Sequence, residues 1–309
     1  DYYLEFEKPI QAIDQKILEL EADDSSADHS SELSTLKAKR ESSLKKIFSG
    51  LSRWQRVQLA RHPQRPFSLD YINALAPDFI ELHGDRYFGD DAAVISGMGT
   101  IDGVKVVIIG QQKGRNTKEN LFRNFGMMRP EGYRKALRIM KLAEKFRLPI
   151  ISLIDTPGAY PGLGAEERGQ GEAIAKNLWE MSKMKVPIIS VVIGEGASGG
   201  ALGIGVCDRM LMLENTWYSV ISPEGCASIL WRDAAKAAEA ADAMKVTPDD
   251  LMNMGICDRI IEEPLGGAHR EFDAMATILK NVLLEEIANL KDVEPNSFLE
   301  RRIDRYDKM

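Results

Sequence analysis

The chain has 309 residues, 44% of them hydrophobic and 28% charged, which is enough apolar material for a sizeable core and excludes a disordered or fibrous protein. Forty Lys and Arg against 47 Asp and Glu give a formal charge of −7, which disfavours non-specific nucleic-acid binding. No apolar run approaches the roughly 20 residues that a membrane-spanning helix needs.

Asp1 to Leu20 has no basic segment followed by an apolar one, so no secretory signal is expected. Ile10, Ile13, Ile17 and Leu20 recur at helical spacing, as do Leu33, Leu36, Leu44, Ile47 and Leu51 beyond the polar stretch Glu21 to Ser31. This pattern predicts a helical hairpin within residues 1–62. Its apolar stripe is too narrow to make a core alone, so it is expected to pack on the main body or on a second copy of the chain. After His62-Pro63 the pattern changes to strand-like runs at Val104–Ile109, Pro149–Ile154, Val186–Ile193 and Met210–Leu213. Helical periods over Glu131–Phe146 and Ala165–Met184 alternate with them, which predicts parallel β-α-β units in an α/β domain over residues 63–290. Asp233–Met244 and Arg270–Leu290 read as helices, and residues 291–309 as a helical tail.

Cys207, Cys226 and Cys257 form no C-x-x-C pair, and His29, His62, His83 and His269 are widely separated. No disulfide framework and no protein-held metal is expected, and a reduced cytoplasm fits.

The strongest local signal is Gly194-Glu195-Gly196-Ala197-Ser198-Gly199-Gly200-Ala201, after a strand and before a small-residue helix. Glycines there admit close backbone approach, and unpaired N–H groups at the positive end of a helix dipole suit a developing oxyanion. The same residues satisfy G-x-G-x-x-G with Glu214 twenty residues on, but the segment to the next strand is too short for a dinucleotide-binding unit. Asp155-Thr156-Pro157-Gly158-Ala159-Tyr160 marks a second strand end, where ligands of α/β folds gather. No G-x-x-x-x-G-K-[ST] accompanies it, which rejects a GTPase. Ser222-Pro223 reads as a helix start. Glu195 and Glu224 are a candidate general acid/base pair. From Gln111 to Arg147 the chain is locally +8, leaving −15 elsewhere, and Arg129 and Arg134 are candidate contacts to the phosphates of a coenzyme A substrate.

Phe6-Glu7-Lys8-Pro9-Ile10, Leu82-His83-Gly84-Asp85-Arg86, Pro130–Ala136, Asp155–Tyr160, Ala165–Gln170, Gly194–Leu202, Ser222–Trp231 and Glu263–Arg270 together resemble, in order, the α-subunit family of bacterial and plastid acetyl-coenzyme A carboxylase carboxyltransferases. The resemblance implies a crotonase-like (ClpP/crotonase) α/β spiral of β-β-α units with an N-terminal helical arm and C-terminal helices. It implies carboxyl transfer from biotin on a biotin carboxyl carrier protein, loaded by biotin carboxylase, to acetyl-coenzyme A, giving malonyl-coenzyme A for fatty-acid synthesis in the cytoplasm. A β subunit with a zinc ribbon is implied as partner in a heterotetramer, with no membrane or specific nucleic-acid partner. The backbone amides of Gly199 and Gly200 are implied as the oxyanion hole for the biotin ureido oxygen, with Gly158, Ala159, Gly196, Ser198 and Ala201 around the substrate. The family more often has Gly where this chain has Ala197, so a narrowed turn is expected there. The competing readings are an enoyl-coenzyme A hydratase or isomerase on the same fold, a non-catalytic scaffold and, last, a dinucleotide-dependent dehydrogenase.

Overall fold

The N-terminal helices form as the apolar spacing predicts. In the computed structural model, which describes residues 2–23 and 29–309, α1 spans Lys8–Glu21 and α2 spans Ser30–Phe48, packed on one another. Ile10, Ile13 and Ile17 are buried on α1 and Leu44 on α2. The middle of the predicted polar link, residues 24–28, lies outside the described residues. Arg270 ties the hairpin to the body through Glu7 at 2.8 Å. Then α3 (Arg53–Ala60) opens on a Ser52/Gln55 capping box, and α4 (Ser68–Leu75) follows.

The sheet has strands β1 (Ile80–Glu81), β2 (Val94–Ile101), β3 (Val104–Gln111), β4 (Ile150–Thr156), β5 (Ile188–Ala197), β6 (Arg209–Leu213), β7 (Trp217–Ser219) and β8 (Arg259–Ile261). Their order is β1-β2-β3-β4-β5-β6-β8, with β7 paired to β5 beyond the end of β6. From β3 onward every pairing is parallel, and β4 and β5 are buried along their whole length, as continuous apolar runs require. The antiparallel hairpin β2–β3 was not predicted; Asp102 and Gly103 turn it with φ of 43° and 85°.

The connecting helices are α5 (Thr117–Phe122), α6 (Pro130–Phe146), α7 (Leu163–Glu167), α8 (Gln170–Lys183), α9 (Ser198–Gly205), α10 (Pro223–Trp231), α11 (Ala237–Met244) and α12 (Pro248–Asn253). The helix predicted over Ala165–Met184 is two helices, because Gly169 takes a left-handed φ of 80° between them. One core cluster packs α6, α8 and α9 on one sheet face. The other packs α4 and α13 (Phe272–Leu290) on the opposite face. The tail helix α14 (Phe298–Tyr306) is anchored by buried Arg302, which pairs with Asp208 at 2.7 Å and donates to the carbonyls of Met181, Met184 and Val186. Among the described residues no helix is long and apolar enough to cross a membrane.

Candidate active site at the ends of β4 and β5

The segment Gly194 to Ala197, expected as a glycine turn, is the last part of β5; the turn is only Ala197 to Ser198. Between the pairs Ile154–Val192 and Thr156–Gly196 the register shifts, with β4 advancing two residues and β5 four. The Asp155 carboxylate occupies this irregularity. It accepts from the Glu195 amide at 3.1 Å and from Lys113 Nζ at 2.7 Å. A Cβ on Gly194 would lie 2.4 Å from Asp155 Oδ1, and one on Gly196 would lie 2.4 Å from the Tyr218 ring. These glycines make room for protein side chains within a strand, so a dinucleotide turn does not form.

Beyond the strand ends the two glycine segments meet backbone to backbone. A Cβ on Gly200 would lie 2.3 Å from the carbonyl carbon of Gly158 and 2.4 Å from the amide nitrogen of Ala159. Thr156 Oγ1 accepts from the Gly158 amide at 3.1 Å and donates to its carbonyl at 2.7 Å, holding Gly158 at φ 150°. Opposite, the Gly200 carbonyl accepts from Gln111 Nε2 at 2.8 Å and from the Tyr133 hydroxyl at 3.2 Å. Helix α9 has no side-chain cap, which leaves its first-turn N–H groups unclaimed by a capping side chain. Ser198 holds a left-handed φ of 59°, a conformation that non-glycine residues seldom adopt outside constrained sites. Ala197 is extended (φ −110°) with its methyl buried beside Val57 and Trp217, so the residue meets no backbone penalty.

Ser198 and Gly199 line a largely apolar cleft of about 350 Å³ with Leu202, Tyr218, Val220 and Met254. Ala201, in contrast, points into the core. Arg129 stands before α6 with its guanidinium over the Tyr160 ring at 4.7 Å and its Nε buried without a partner. Arg134 is engaged by Asp85 at 2.9 Å and by the Arg168 carbonyl at 3.0 Å.

On the other side of β5 lies a charged chain that the sequence pattern only partly disclosed. Lys113 Nζ lies 2.7 Å from Asp155 and 2.8 Å from Glu195; Arg61 Nε reaches Glu195 at 2.5 Å, and its other nitrogens reach Glu224. Glu195 and Glu224 are therefore brought together, as two carboxylates on one guanidinium. Burial works against the charge of Glu195, but Lys113 and Arg61 outweigh it and hold the carboxyl below its ordinary range. Burial also opposes the Lys113 charge, and its two carboxylate neighbours hold the ammonium above the usual lysine range. The roles of Lys113 and Arg61 are not legible in the sequence pattern; the one local signal for Lys113 is a charge placed just past an apolar strand, and Arg61 only closes the helix α3. Among the described residues no group of three or more His, Cys, Asp or Glu is arranged to hold a metal ion.

The acetyl co-enzyme A carboxylase carboxyltransferase-like family model matches residues 3–309. An acetyl-coenzyme A carboxylase carboxyl transferase subunit alpha from Chlorobaculum parvum is 53% identical, over 99% of this chain and 96% of the relative. The protein of the same name from Xanthomonas campestris pv. campestris is 57% identical, over 98% and 96%. Among solved structures, a Pseudomonas malonate decarboxylase hetero-dimer superposes with a TM-score of 0.61 at 17% identity, over 84% of this chain and 97% of the other. Transcarboxylase 12S superposes with a TM-score of 0.57 at 20% identity, over 76% of this chain and 45% of that chain. These likenesses bear out the crotonase-like fold, and the chain belongs to the α-subunit family of acetyl-coenzyme A carboxylase carboxyltransferases.

Proposed function

We propose that this chain is the α half of a carboxyltransferase that passes a carboxyl group from biotin, borne on a carrier protein loaded by biotin carboxylase, to acetyl-coenzyme A, giving malonyl-coenzyme A. The observation that carries this reading is the contact of Gly200 with the Gly158–Ala159 backbone at the uncapped start of α9. Biotin, when bound, supplies a ureido nitrogen that carries the carboxyl group and receives the proton given up by the acetyl methyl. The amides of Gly199 and Gly200, at the positive end of α9, are the donors we assign to the ureido oxygen. Each well-placed donor of this kind contributes about 3 kcal/mol. The cleft beside Gly199 has the size and apolar walls for a compact ring whose polar edge faces the glycines. Gly158 and Ala159 shape the cradle through their backbone contact with Gly200, Ser198 through its left-handed turn, and Gly196 through the room it leaves for the Tyr218 ring. Arg129, with its unpartnered Nε, is our candidate for the phosphate side of the substrate, whereas Arg134 is already held by Asp85.

A second subunit is required by this reading. Val220 at the cleft and Ile229 and Leu230 on the following helix α10 are 80%, 70% and 65% exposed, apolar surface suited to a partner chain. We assign it to the zinc-ribbon β subunit of a heterotetramer, place the enzyme in the cytoplasm at the first committed step of fatty-acid synthesis, and treat residues 63–290 as the transferase domain braced by the arm (1–62) and tail (291–309). The hydratase reading is disfavoured because Glu195, its candidate acid, is held ionised by two cations. The test is carboxyl exchange between malonyl-coenzyme A and free biotin by this chain alone, a β subunit alone and the two mixed. Activity is expected only in the mixture; none in a verified complex overturns the reading.

A further inference from the structure

A groove of about 790 Å³ lies between α6 and α8 and is walled by the loop that carries Arg86 and Tyr87. Seven Lys and Arg line it against two carboxylates, on a chain whose formal charge is −7. Arg134, Arg138, Lys141 and Lys145 follow one another at helical spacing along about 16 Å of α6. Across the groove stand Arg168 and Lys176. Three of the seven are in ion pairs: Arg134 with Asp85, Arg168 with Glu131, and Lys141 with Glu180 at 3.6 Å.

Arg138 is fixed differently, by the carbonyls of Gly84 and His83 at 3.0 and 2.9 Å. Burial and neighbouring Arg86 oppose its charge more than Asp90 and Asp85 support it, so the fold holds two guanidiniums near one another with their repulsion only partly offset. A merely solvated face does not need that arrangement, whereas an anionic partner relieves it. Between the cations, the floor is apolar, from Leu137, Leu142 and Ala173, which suits a protein surface better than a bare phosphate.

The groove is also tied to the candidate active site through the inner faces of the same two helices. Tyr133 of α6 donates to the Gly200 carbonyl, and Asn177 of α8 donates to the Gly203 carbonyl at 2.9 Å. Ile174 of α8 is the nearest neighbour of a Cβ built on Gly199, at 3.7 Å. A partner seated on the outer side of α6 and α8 is thus one helix layer from the glycine pair.

We propose that the groove between α6 and α8 docks an acidic protein domain, the carrier that presents the biotinyl group; this rests on the function proposed above. The experiment uses the assembled α and β subunits and compares carrier-borne biotin with free biotin as acceptor in malonyl-coenzyme A exchange. The triple change Arg86→Glu, Lys145→Glu and Lys176→Glu is expected to raise KM for the carrier roughly tenfold or more and to flatten its salt dependence. KM for malonyl-coenzyme A and the rate with free biotin should stay unchanged. Lys16→Glu, Lys39→Glu and Lys46→Glu, on the distant hairpin, make the same change in net charge and should alter neither. An unchanged carrier KM overturns the proposal, and so does a raised KM for malonyl-coenzyme A, which would give the groove to the coenzyme phosphates. A wild-type complex inactive with free biotin defeats the underlying function and takes this proposal down with it.

Discussion

Gly200 sits so close to Gly158 that a Cβ on it would lie 2.3 Å from the Gly158 carbonyl carbon, whereas one on the adjacent Gly199 would meet nothing nearer than Ile174 at 3.7 Å. The two glycines are therefore needed for different reasons. At Gly200 the obstruction is backbone, which cannot rotate away, so Gly200→Ala must push the two strand-end loops apart. We expect about 1–3 kcal/mol of destabilisation and a loss of exchange activity of roughly 10²–10³-fold, the usual effect of losing one oxyanion donor. At Gly199, alanine fits and favours the helix by up to about 1 kcal/mol. Gly199→Ala should leave Tm unchanged or raised. Thermal melts beside exchange assays on both variants check the pair, and equal destabilisation would contradict the asymmetry.

Lys113 is the cation shared by two buried carboxylates, of which Asp155 has no other ion-pair partner among the described residues and Glu195 also has Arg61. Asp155 and Glu195 are both nearly inaccessible and both within 2.8 Å of its ammonium. Lys113→Met removes the cation and leaves them buried together, a change that typically costs about 3–5 kcal/mol. Because Asp155 also fills the register shift between β4 and β5, the strand ends should lose their relative placement. Urea unfolding of the variant checks the first point. The second is checked by Lys113→Arg, which keeps the charge and should recover part of the stability with less of the activity.

Glu224 distinguishes the transferase from a hydratase more cleanly than Glu195, since it is half-exposed and its change disturbs less. Glu224→Gln keeps a hydrogen-bonding partner for Arg61. Exchange by the assembled complex should stay within roughly threefold of the wild type, because general acid/base groups contribute about 10²–10⁴-fold where they act. Hydration of crotonyl-coenzyme A by the chain, abolished by this change, would reverse the assignment.

Much of this architecture was legible because β3 to β6 are covered on both faces and so appear as unbroken apolar runs. Strand β2 was hidden by Gly97 and Gly99, whose missing side chains leave space for Ile80, Phe79 and Ala76. Its turn, Asp102-Gly103, is the one local signal for the hairpin. The end of β5 reads as a turn in the sequence because glycine does not reveal what fills the vacant Cβ position. Here Asp155 and Tyr218 fill it, from 39 and 22 residues away. The Gly199–Gly200 pair stands out in the sequence because it belongs to a run of only eight residues. Lys113 and Arg61 do not, since their partners stand 42 to 163 residues along the chain and periodicity carries no information at that range.

A stacked pair of imidazoles should make the fold sensitive to acid. His62 and His269 lie with ring centroids 4.0 Å apart, and neither nitrogen of His269 has a partner. Burial first, then His62, Arg270 and Arg65, push His269 down to about 3, with Glu263 opposing; burial likewise lowers His62 against the pull of Glu7. In the unfolded chain both titrate near 6.5, so between that pH and about 3 the unfolded state binds more protons than the folded one. Stability must then fall as pH drops through 6.5, by up to about 1.4 kcal/mol per unit for each histidine. Asp91 acts the other way: burial raises it to about 6, so its contribution falls as pH rises from about 4 to 6 and partly offsets the histidines there. His269→Phe preserves an aromatic face for His62 and removes one titration. Urea midpoints from pH 8 to 4.5 should therefore decline less steeply in the variant than in the wild type, and parallel profiles would show that the stack does not govern acid stability.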